Sequence, residues 1–150
     1  MNISFRPCSV SDFATVTDLI IKLYNEDPGL IQMTKEKALG TLELLSKKAD
    51  LGSVLVIEVK GETIGYCMLI NYWSNEYGGN ILHIDELFIK EEYRSKGIGS
   101  QLIYRLAKSK FADAVGLQLE VTPDNARAKK LYEKLGFTLR KNSAYEMGLD

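Results

Sequence analysis

The stretch from Ile81 to Gln101 constrains the fold more than any other part of the sequence. Apolar residues occupy both phases of its period-two pattern between Ile81 and Ile89. That pattern is typical of a strand buried on both faces. After a short polar connector, Gly97 and Gly99 precede apolar residues that recur at helical spacing. The stretch therefore predicts a central strand, a loop and a helix that starts directly at the loop.

Two adjacent carboxylates interrupt the apolar strand. Asp85 and Glu86 point to opposite faces if the strand is regular, and burying a carboxylate is costly unless it is paired or used. A bulge would change which of the two faces a ligand, so the pattern leaves both as candidates. We expect at least one to serve chemistry.

The loop that follows has the composition of an anion site. Glycines let a ligand approach the backbone closely, and the unpaired N–H groups of a helix's first turn attract negative charge. The candidate residues for a phosphate-bearing cofactor are Arg94, Ser95, Lys96, Gly97, Ile98, Gly99 and Ser100. The spacing excludes both a P-loop and a dinucleotide fingerprint, since Leu102 stands where the third glycine would be. An ordinary tight connection is the alternative that the loop alone leaves open.

Composition limits the remaining choices. A chain of 150 residues with a net charge of −1 fits a single domain spanning residues 1–150 and argues against non-specific nucleic-acid binding. Cys8 and Cys67 lie far apart, and the single histidine leaves no recognisable metal site. Without a leader pattern or a long apolar run, we expect no membrane association and a cytoplasmic location.

Hydrophobic periodicity and turn residues predict the rest of the fold. The order is β-α-α-β-β-β-α-β-α-β-β, an α+β domain whose helices flank a mostly antiparallel mixed sheet. The expected strands are Ile3–Arg6, Ser53–Val59, Thr63–Tyr72, Ile81–Ile89 and Val115–Val121, with a final hairpin of Phe137–Arg140 and Ala144–Leu149. The expected helices start at caps Ser11-Asp12, Thr34, the glycine loop and Asn125, and the last ends at Gly136.

A second motif makes the pattern specific. Asn125-Ala126-Arg127-Ala128 followed by Leu131-Tyr132 and Gly136-Phe137 resembles a signature of the GNAT superfamily of acetyl-CoA-dependent N-acetyltransferases. The Arg-x-x-Gly-x-Gly loop about thirty residues earlier resembles that family's pyrophosphate motif. The element order also matches, more weakly before residue 53.

The resemblance implies acetyl-CoA as cofactor, CoA as product and no metal. It implies that the pantetheine arm pairs with the backbone of Leu87, Phe88 and Ile89 beside a bulge, and that the pyrophosphate binds the loop. Asn125 would hydrogen-bond the pantetheine, and the Tyr132 hydroxyl would lie near the thioester sulfur. A phenol with a pKa of about 10 stays protonated at neutral pH and can protonate a departing thiolate.

An amine acceptor needs a base, because an alkyl amine of pKa about 10.4 is only about one part in a thousand neutral at about pH 7.4. Glu86 is the favoured base and Asp85 the alternative, whereas the isolated His83 is interpreted as a packed core residue. Loops that flank the cleft in such folds supply the candidate acceptor residues Tyr24, Asp27, Trp73, Glu76 and Tyr77.

These features predict an enzyme that acetylates a primary amine of a small, cationic acceptor by direct attack in a ternary complex. One alternative is an acyl-CoA sensor that binds without turnover, which would need neither Tyr132 nor the carboxylates. Another is a protein N-terminal or lysine acetyltransferase. Family analogy also suggests a homodimer.

Overall fold

A five-stranded sheet forms the centre of the computed structural model, which describes residues 1–150. The strands are β1 (Ile3–Pro7), β2 (Gly52–Val59), β3 (Glu62–Ser74), β4 (Gly79–Ile89) and β5 (Gly116–Leu119). They lie in the sheet in chain order. β1 to β4 pair antiparallel, and β5 pairs parallel with β4. The mostly antiparallel mixed sheet of the predicted fold class is confirmed.

The chain also forms four α-helices. They are α1 (Phe13–Glu26), α2 (Lys35–Lys47), α3 (Ile98–Ser109) and α4 (Ala126–Lys134). The predicted caps of α2 and α4 are present, since Thr34 accepts a hydrogen bond from the Lys37 N–H and Asn125 accepts one from the Ala128 N–H. Local capping chemistry therefore sets where these helices begin.

The chain divides into two compact units, Met1–Leu119 and Glu120–Asp150. In the first unit, α1 and α2 pack on one face of the sheet through Val16, Ile20 and Leu42, which are at most 2% exposed. α3 lies on the other face, where the Arg105 guanidinium stacks on the Phe5 ring. The second unit contains α4.

The predicted final hairpin is wrong. Residues 137–150 form no strand, and Tyr145, Met147 and Leu149 are 98%, 80% and 86% exposed. An isolated two-stranded hairpin is marginal in water unless one of its faces is buried. The alternating apolar residues of this segment have no such burial here, so the periodicity that suggested strands is not enough to form them.

One irregularity in the sheet matters for the site. The register pairs Met68 with Glu86 but Leu69 with Ile84, so β4 contains one extra residue, Asp85, at this point. This is a β-bulge, which bends the strand and resets the alternation of its side chains. Because Met68 and Ile70 share a face, their partners Glu86 and His83 share that face as well.

Candidate active site

Glu86 is the most unusual side chain in the first unit. Its residue is 9% exposed, and each carboxylate oxygen accepts a hydrogen bond from a tyrosine. Tyr24 Oη donates to Oε2 at 2.5 Å, and Tyr66 Oη donates to Oε1 at 2.8 Å. The pKa of Glu86 is raised because the effect of burial exceeds that of the two phenol hydrogen bonds, and the charge of Asp85 adds to it. The site thus holds a carboxylate that is more basic than usual.

Three elements position this group. Tyr24 lies in the last turn of α1, Tyr66 lies in β3, and Glu86 follows the bulge of β4. The sequence pattern missed Tyr66, which occupies an apolar strand run and pairs with Phe88 in the sheet. Its buried phenol requires a hydrogen-bond partner, but only the β3–β4 register shows that this partner is Glu86.

Asp85 has a different environment from its neighbour. Its side chain is 45% exposed, and its Oδ1 lies 3.6 Å from Nε2 of His83. The other ring nitrogen, Nδ1, lies 3.0 Å from Oε1 of Gln118 in β5. His83, interpreted from sequence as a core residue, therefore belongs to a polar group on the same face as Glu86.

The glycine loop ends in the predicted helix start. Gly97 is the N-cap of α3 in a left-handed conformation, with φ of +80°. The first helical hydrogen bond runs from the Gln101 N–H to the Gly97 carbonyl. The N–H groups of Ile98, Gly99 and Ser100 consequently have no carbonyl acceptor within the helix. They point out of the helix start, which is the geometry expected of an anion site.

The Arg94 side chain does not extend along this loop. Its Nη2 lies 3.0 Å from both carboxylate oxygens of Glu26 in α1, and its Nε donates to the Ile89 carbonyl at 2.6 Å. The guanidinium also lies 5.2 Å from the Phe88 ring centroid. Arg94 thus connects the loop to α1 and β4, while Lys96 remains exposed.

One edge of β4 is open where the pantetheine arm is predicted to bind. β5 pairs only with Ile81 to Ile84, so residues 85–89 have no strand partner on that side. On the other side, Leu87, Phe88 and Ile89 pair with β3. An extended ligand with amide groups could hydrogen-bond to such an edge in the manner of an added strand.

The predicted acceptor residues do not form one cluster. Tyr24 contacts Glu86, and Asp27 follows α1 closely enough for its charge to contribute to the raised pKa of Tyr24. Trp73 is 73% exposed near the end of β3, and Glu76 is an exposed residue of the following turn. Tyr77 lies in that turn and contacts the start of β5 at Gly116.

A cavity adjoins Tyr24 at the end of α1. Its volume is about 420 Å³, and its lining comes from the end of α1 and the segment that connects α1 to α2. The lining residues are mostly apolar and include no charged side chain: Ile21, Tyr24, Asn25, Pro28, Gly29, Leu30, Ile31, Gln32 and Met33. Sequence reasoning missed this cavity because its walls come from an irregular segment.

In the second unit, α4 presents the other motif residues. Asn125 Oδ1 accepts a hydrogen bond from the Ala128 N–H at 3.1 Å, so this side chain caps the helix. The Tyr132 ring packs edge-on against Phe137, with 5.8 Å between the ring centroids. Burial raises the pKa of the Tyr132 phenol, which therefore remains protonated at neutral pH.

Comparison with known proteins identifies the class to which this fold and these motifs belong. A sequence profile of the Acetyltransferase (GNAT) family matches residues 17–137. The chain therefore belongs to the GNAT family of acetyltransferases.

Individual relatives agree with that assignment. Thialysine N-epsilon-acetyltransferase of Bos taurus is 31% identical over 86 residues, which cover 54% of this chain and 51% of the relative. The chain thus spans about half the length of this curated relative. A possible acetyltransferase from Clostridium difficile 630 superposes with a TM-score of 0.83 and 25% identity, covering 100% of this chain and 99% of the other.

A further solved structure holds the cofactor product. An aminoglycoside N-acetyltransferase in complex with CoA has a TM-score of 0.78 and 16% identity, covering 98% of this chain and 95% of the other. At that identity the likeness concerns the fold alone. No helix combines the length and apolarity needed to cross a membrane, and no three His, Cys, Asp or Glu side chains group as metal ligands.

Proposed function

We propose that this chain transfers the acetyl group of acetyl-CoA to a primary amine of a small, cationic acceptor. The observation that carries the proposal is the buried Glu86 carboxylate, held by two phenols next to the unpaired edge of β4. Membership of an acetyltransferase family supports the reaction class. The family profile extends into both compact units, which supports a single acetyltransferase domain over residues 1–150.

Glu86 acts as the base in this proposal. It takes a proton from the ammonium form of the acceptor, directly or through water, and the free amine attacks the thioester carbonyl carbon. Its raised pKa supports the role, because a base works best when its pKa lies near the operating pH. Asp85 is the alternative, and its more exposed carboxylate suits an initial contact with a cationic substrate.

Collapse of the tetrahedral intermediate breaks the carbon–sulfur bond, and the nitrogen releases its second proton to water. The products are the neutral N-acetylated amine and the CoA thiolate. Tyr132 donates its phenol proton to that thiolate and recovers it from solvent, so CoA leaves as the thiol. The raised pKa of Tyr132 keeps the phenol protonated at neutral pH, so the proton is available for donation.

Cofactor binding is assigned to three parts of the chain. The first-turn N–H groups of α3 bind the pyrophosphate, the open edge at Leu87 to Ile89 pairs with the pantetheine amides, and Asn125 binds the same arm. The contacts of Arg94 with Glu26 and Ile89 favour backbone rather than guanidinium binding of the phosphates.

The acceptor class is proposed from charge and from relatives. Three carboxylates supply negative charge in the first unit: Asp27 after α1, Glu76 in the turn after β3, and Asp85 in β4. The relative from Bos taurus is named for the acetylation of thialysine, which carries amino groups. A homodimer is proposed by family analogy and is tested by light scattering.

A turnover screen tests the proposal. Purified protein is given acetyl-CoA with diamines, basic amino acids, aminoglycosides or peptides, and free thiol is measured. Thiol release that depends on one acceptor class supports the enzyme and names the substrate. Acetyl-CoA binding without turnover for any acceptor would favour the sensor, and preference for peptides would favour a protein acetyltransferase.

Substitution of the carboxylates then identifies the base. Glu86→Gln should depress the rate most at low pH and less as the pH approaches the amine pKa of about 10.4, where free amine is plentiful. Asp85→Asn is the matched comparison on the adjacent residue. If both variants keep the wild-type pH profile, neither carboxylate is the base.

A further inference from the structure

Two carboxylates of this protein have the same low exposure but different hydrogen-bond partners, a cation at one and neutral phenols at the other. Asp12 and Glu86 are each 9% exposed. Asp12 is held by the guanidinium of Arg6, with hydrogen bonds of 2.7 and 2.8 Å, and its pKa lies well below the usual range. Glu86 is held by two neutral phenols, and its pKa lies above the usual range. The hydrogen bond to a cation dominates at Asp12, whereas at Glu86 two neutral donors only partly offset the effect of burial.

This contrast indicates what the phenols provide. A cation would satisfy Glu86 and also make it a poor base, as Arg6 does for Asp12. A phenol supplies a hydrogen bond without a compensating positive charge. Simple core packing would need no carboxylate at this position, since an apolar side chain of similar size is often equally or more stabilising.

The geometry also leaves Glu86 able to accept a proton. Each carboxylate oxygen has about two acceptor positions. Tyr24 occupies one on Oε2 and Tyr66 occupies one on Oε1. With both oxygens fixed from different elements, the carboxylate cannot rotate without losing a hydrogen bond, and one acceptor position remains on each oxygen.

The position of Tyr24 is itself restrained. Two residues further along α1, Glu26 binds Arg94, and Arg94 binds the Ile89 carbonyl of β4. The last turn of α1 is therefore joined to β4 twice, once at Glu86 and once at Ile89. Tyr66 is fully buried in the middle of the sheet and needs no further restraint.

We propose that Tyr24 and Tyr66 are positioning residues of the catalytic base, holding the Glu86 carboxylate by neutral donors so that it remains oriented and basic. The inference rests on the proposed function in that Glu86 is taken as the base. It adds two residues that act through Glu86 and not on the acetyl group.

The groups around Glu86 make the proposal measurable. Tyr24 from α1, Tyr66 from β3, and Asp85 with its contact His83 from β4 lie around it, and the charge of Glu86 also acts on Cys67 of β3. Burial raises the pKa of both phenols and of the Cys67 thiol, so these three stay neutral across an assay from about pH 5 to 9. None of the three produces an acidic limb in that range.

The test compares Tyr24→Phe and Tyr66→Phe with the wild type. Each removes one donor that favours the ionised carboxylate, so the pKa of Glu86 rises further. A hydrogen bond to a charged group corresponds to a shift of about one pH unit or more. The acidic limb of kcat/KM should move up by that amount, and kcat above the limb should fall, because one phenol instead of two then orients the carboxylate. Tyr24→Phe, on a half-buried residue, serves if Tyr66→Phe does not fold.

Tyr93→Phe is the matched control. The Tyr93 phenol also donates to a carboxylate, Glu62 Oε2 at 3.0 Å, but on the surface. This variant should leave the acidic limb unchanged. A lower melting temperature with an unmoved limb in Tyr24→Phe would overturn the proposal, and so would a pH-independent rise in KM, which would make Tyr24 a substrate contact only.

A second measurement separates this proposal from the proposed function. Carboxyl carbons labelled with carbon-13 report the titration of Glu86 by NMR, with Glu86→Gln to assign the signal. An upward shift in Tyr24→Phe supports positioning even if no amine is acetylated, in which case the proposed function fails alone. An unmoved titration in a folded Tyr24→Phe protein refutes positioning even if acetylation is found.

Discussion

Gly97 and Gly99 should respond differently to substitution, because only one of them has a backbone that requires glycine. Gly97 has φ of +80°, and no heavy atom lies within 4 Å of a Cβ added there. Alanine at this position therefore meets no clash, but it must adopt a left-handed conformation that costs roughly 1–2 kcal/mol. At about 2–4 °C per kcal/mol for a chain of this size, Gly97→Ala should lower the melting temperature by roughly 2–8 °C.

Gly99 lies inside the first turn of α3 and has no positive φ. The nearest atom to an added Cβ is Leu87 Cδ2 at 3.6 Å, an ordinary contact. Alanine or valine is intrinsically a better helix former than glycine, so the fold should tolerate either. A larger group there extends into the space between the helix start and Leu87, which is part of the predicted pantetheine edge.

The predicted consequence is a loss of cofactor affinity without a loss of stability. Gly99→Val should weaken acetyl-CoA binding at least tenfold, about 1.4 kcal/mol. Gly99→Ala should give a smaller loss in the same direction. Titration calorimetry measures the affinity, and thermal unfolding on the same preparation measures stability.

Gly40→Ala is the control, since Gly40 is an exposed helical glycine of α2 with no atom within 4 Å of an added Cβ. It should raise stability slightly and leave acetyl-CoA affinity unchanged. Wild-type affinity in a folded Gly99→Val protein would refute the reasoning, because it would mean that the loop does not contact the cofactor.

Three further substitutions test other parts of the structure. Tyr132→Phe should lower kcat by roughly 10²-fold with nearly unchanged acetyl-CoA affinity, whereas a lower melting temperature with normal kcat would indicate a packing role. Asp12 has a lowered pKa, so its charged form stabilises the fold fully above the ordinary Asp pKa of about 3.9. This stabilisation is lost as the pH falls through the folded-state pKa. Asp12→Asn should therefore flatten the acid side of the curve of melting temperature against pH. Leu42→Ala should reduce the free energy of unfolding by about 2–5 kcal/mol in urea titrations, because Leu42 is 2% exposed between α2 and the sheet.

Local signals predicted most of the elements. The caps Thr34 and Asn125 carry their own chemistry in a side chain, so each helix start could be identified from the sequence. The turn between β2 and β3 is also local, since Lys60 and Gly61 both have positive φ, as two-residue hairpin turns require. The segment from Phe137 to Leu149 shows the limit of this approach. Alternation of apolar residues identifies the face that a strand would bury, but it does not show whether another element packs against that face.

The choice between Asp85 and Glu86 shows a different limit. In a regular strand, adjacent side chains face opposite sides, and two consecutive residues cannot be ranked by counting alternation alone. The bulge decides their faces, and it exists only in the pairing of β4 with β3, where Met68 takes Glu86 and Leu69 takes Ile84. One extra residue thus turns Glu86 towards Tyr24 and Tyr66 and leaves Asp85 exposed beside His83.

The same bulge joins the two halves of the proposed chemistry. β5 stops pairing with β4 at Ile84, one residue before the bulge, so the open edge of β4 begins where the strand bends. The carboxylate proposed to activate the amine and the backbone proposed to hold the thioester arm are therefore adjacent in one strand. A substitution that removed the bulge would shift the register by one residue, turn Glu86 away from its two phenols and move the open edge together with it. Removal of the bulge is therefore expected to impair both the catalytic base and the cofactor-binding edge. Substitution of a single side chain of the site is not expected to impair both.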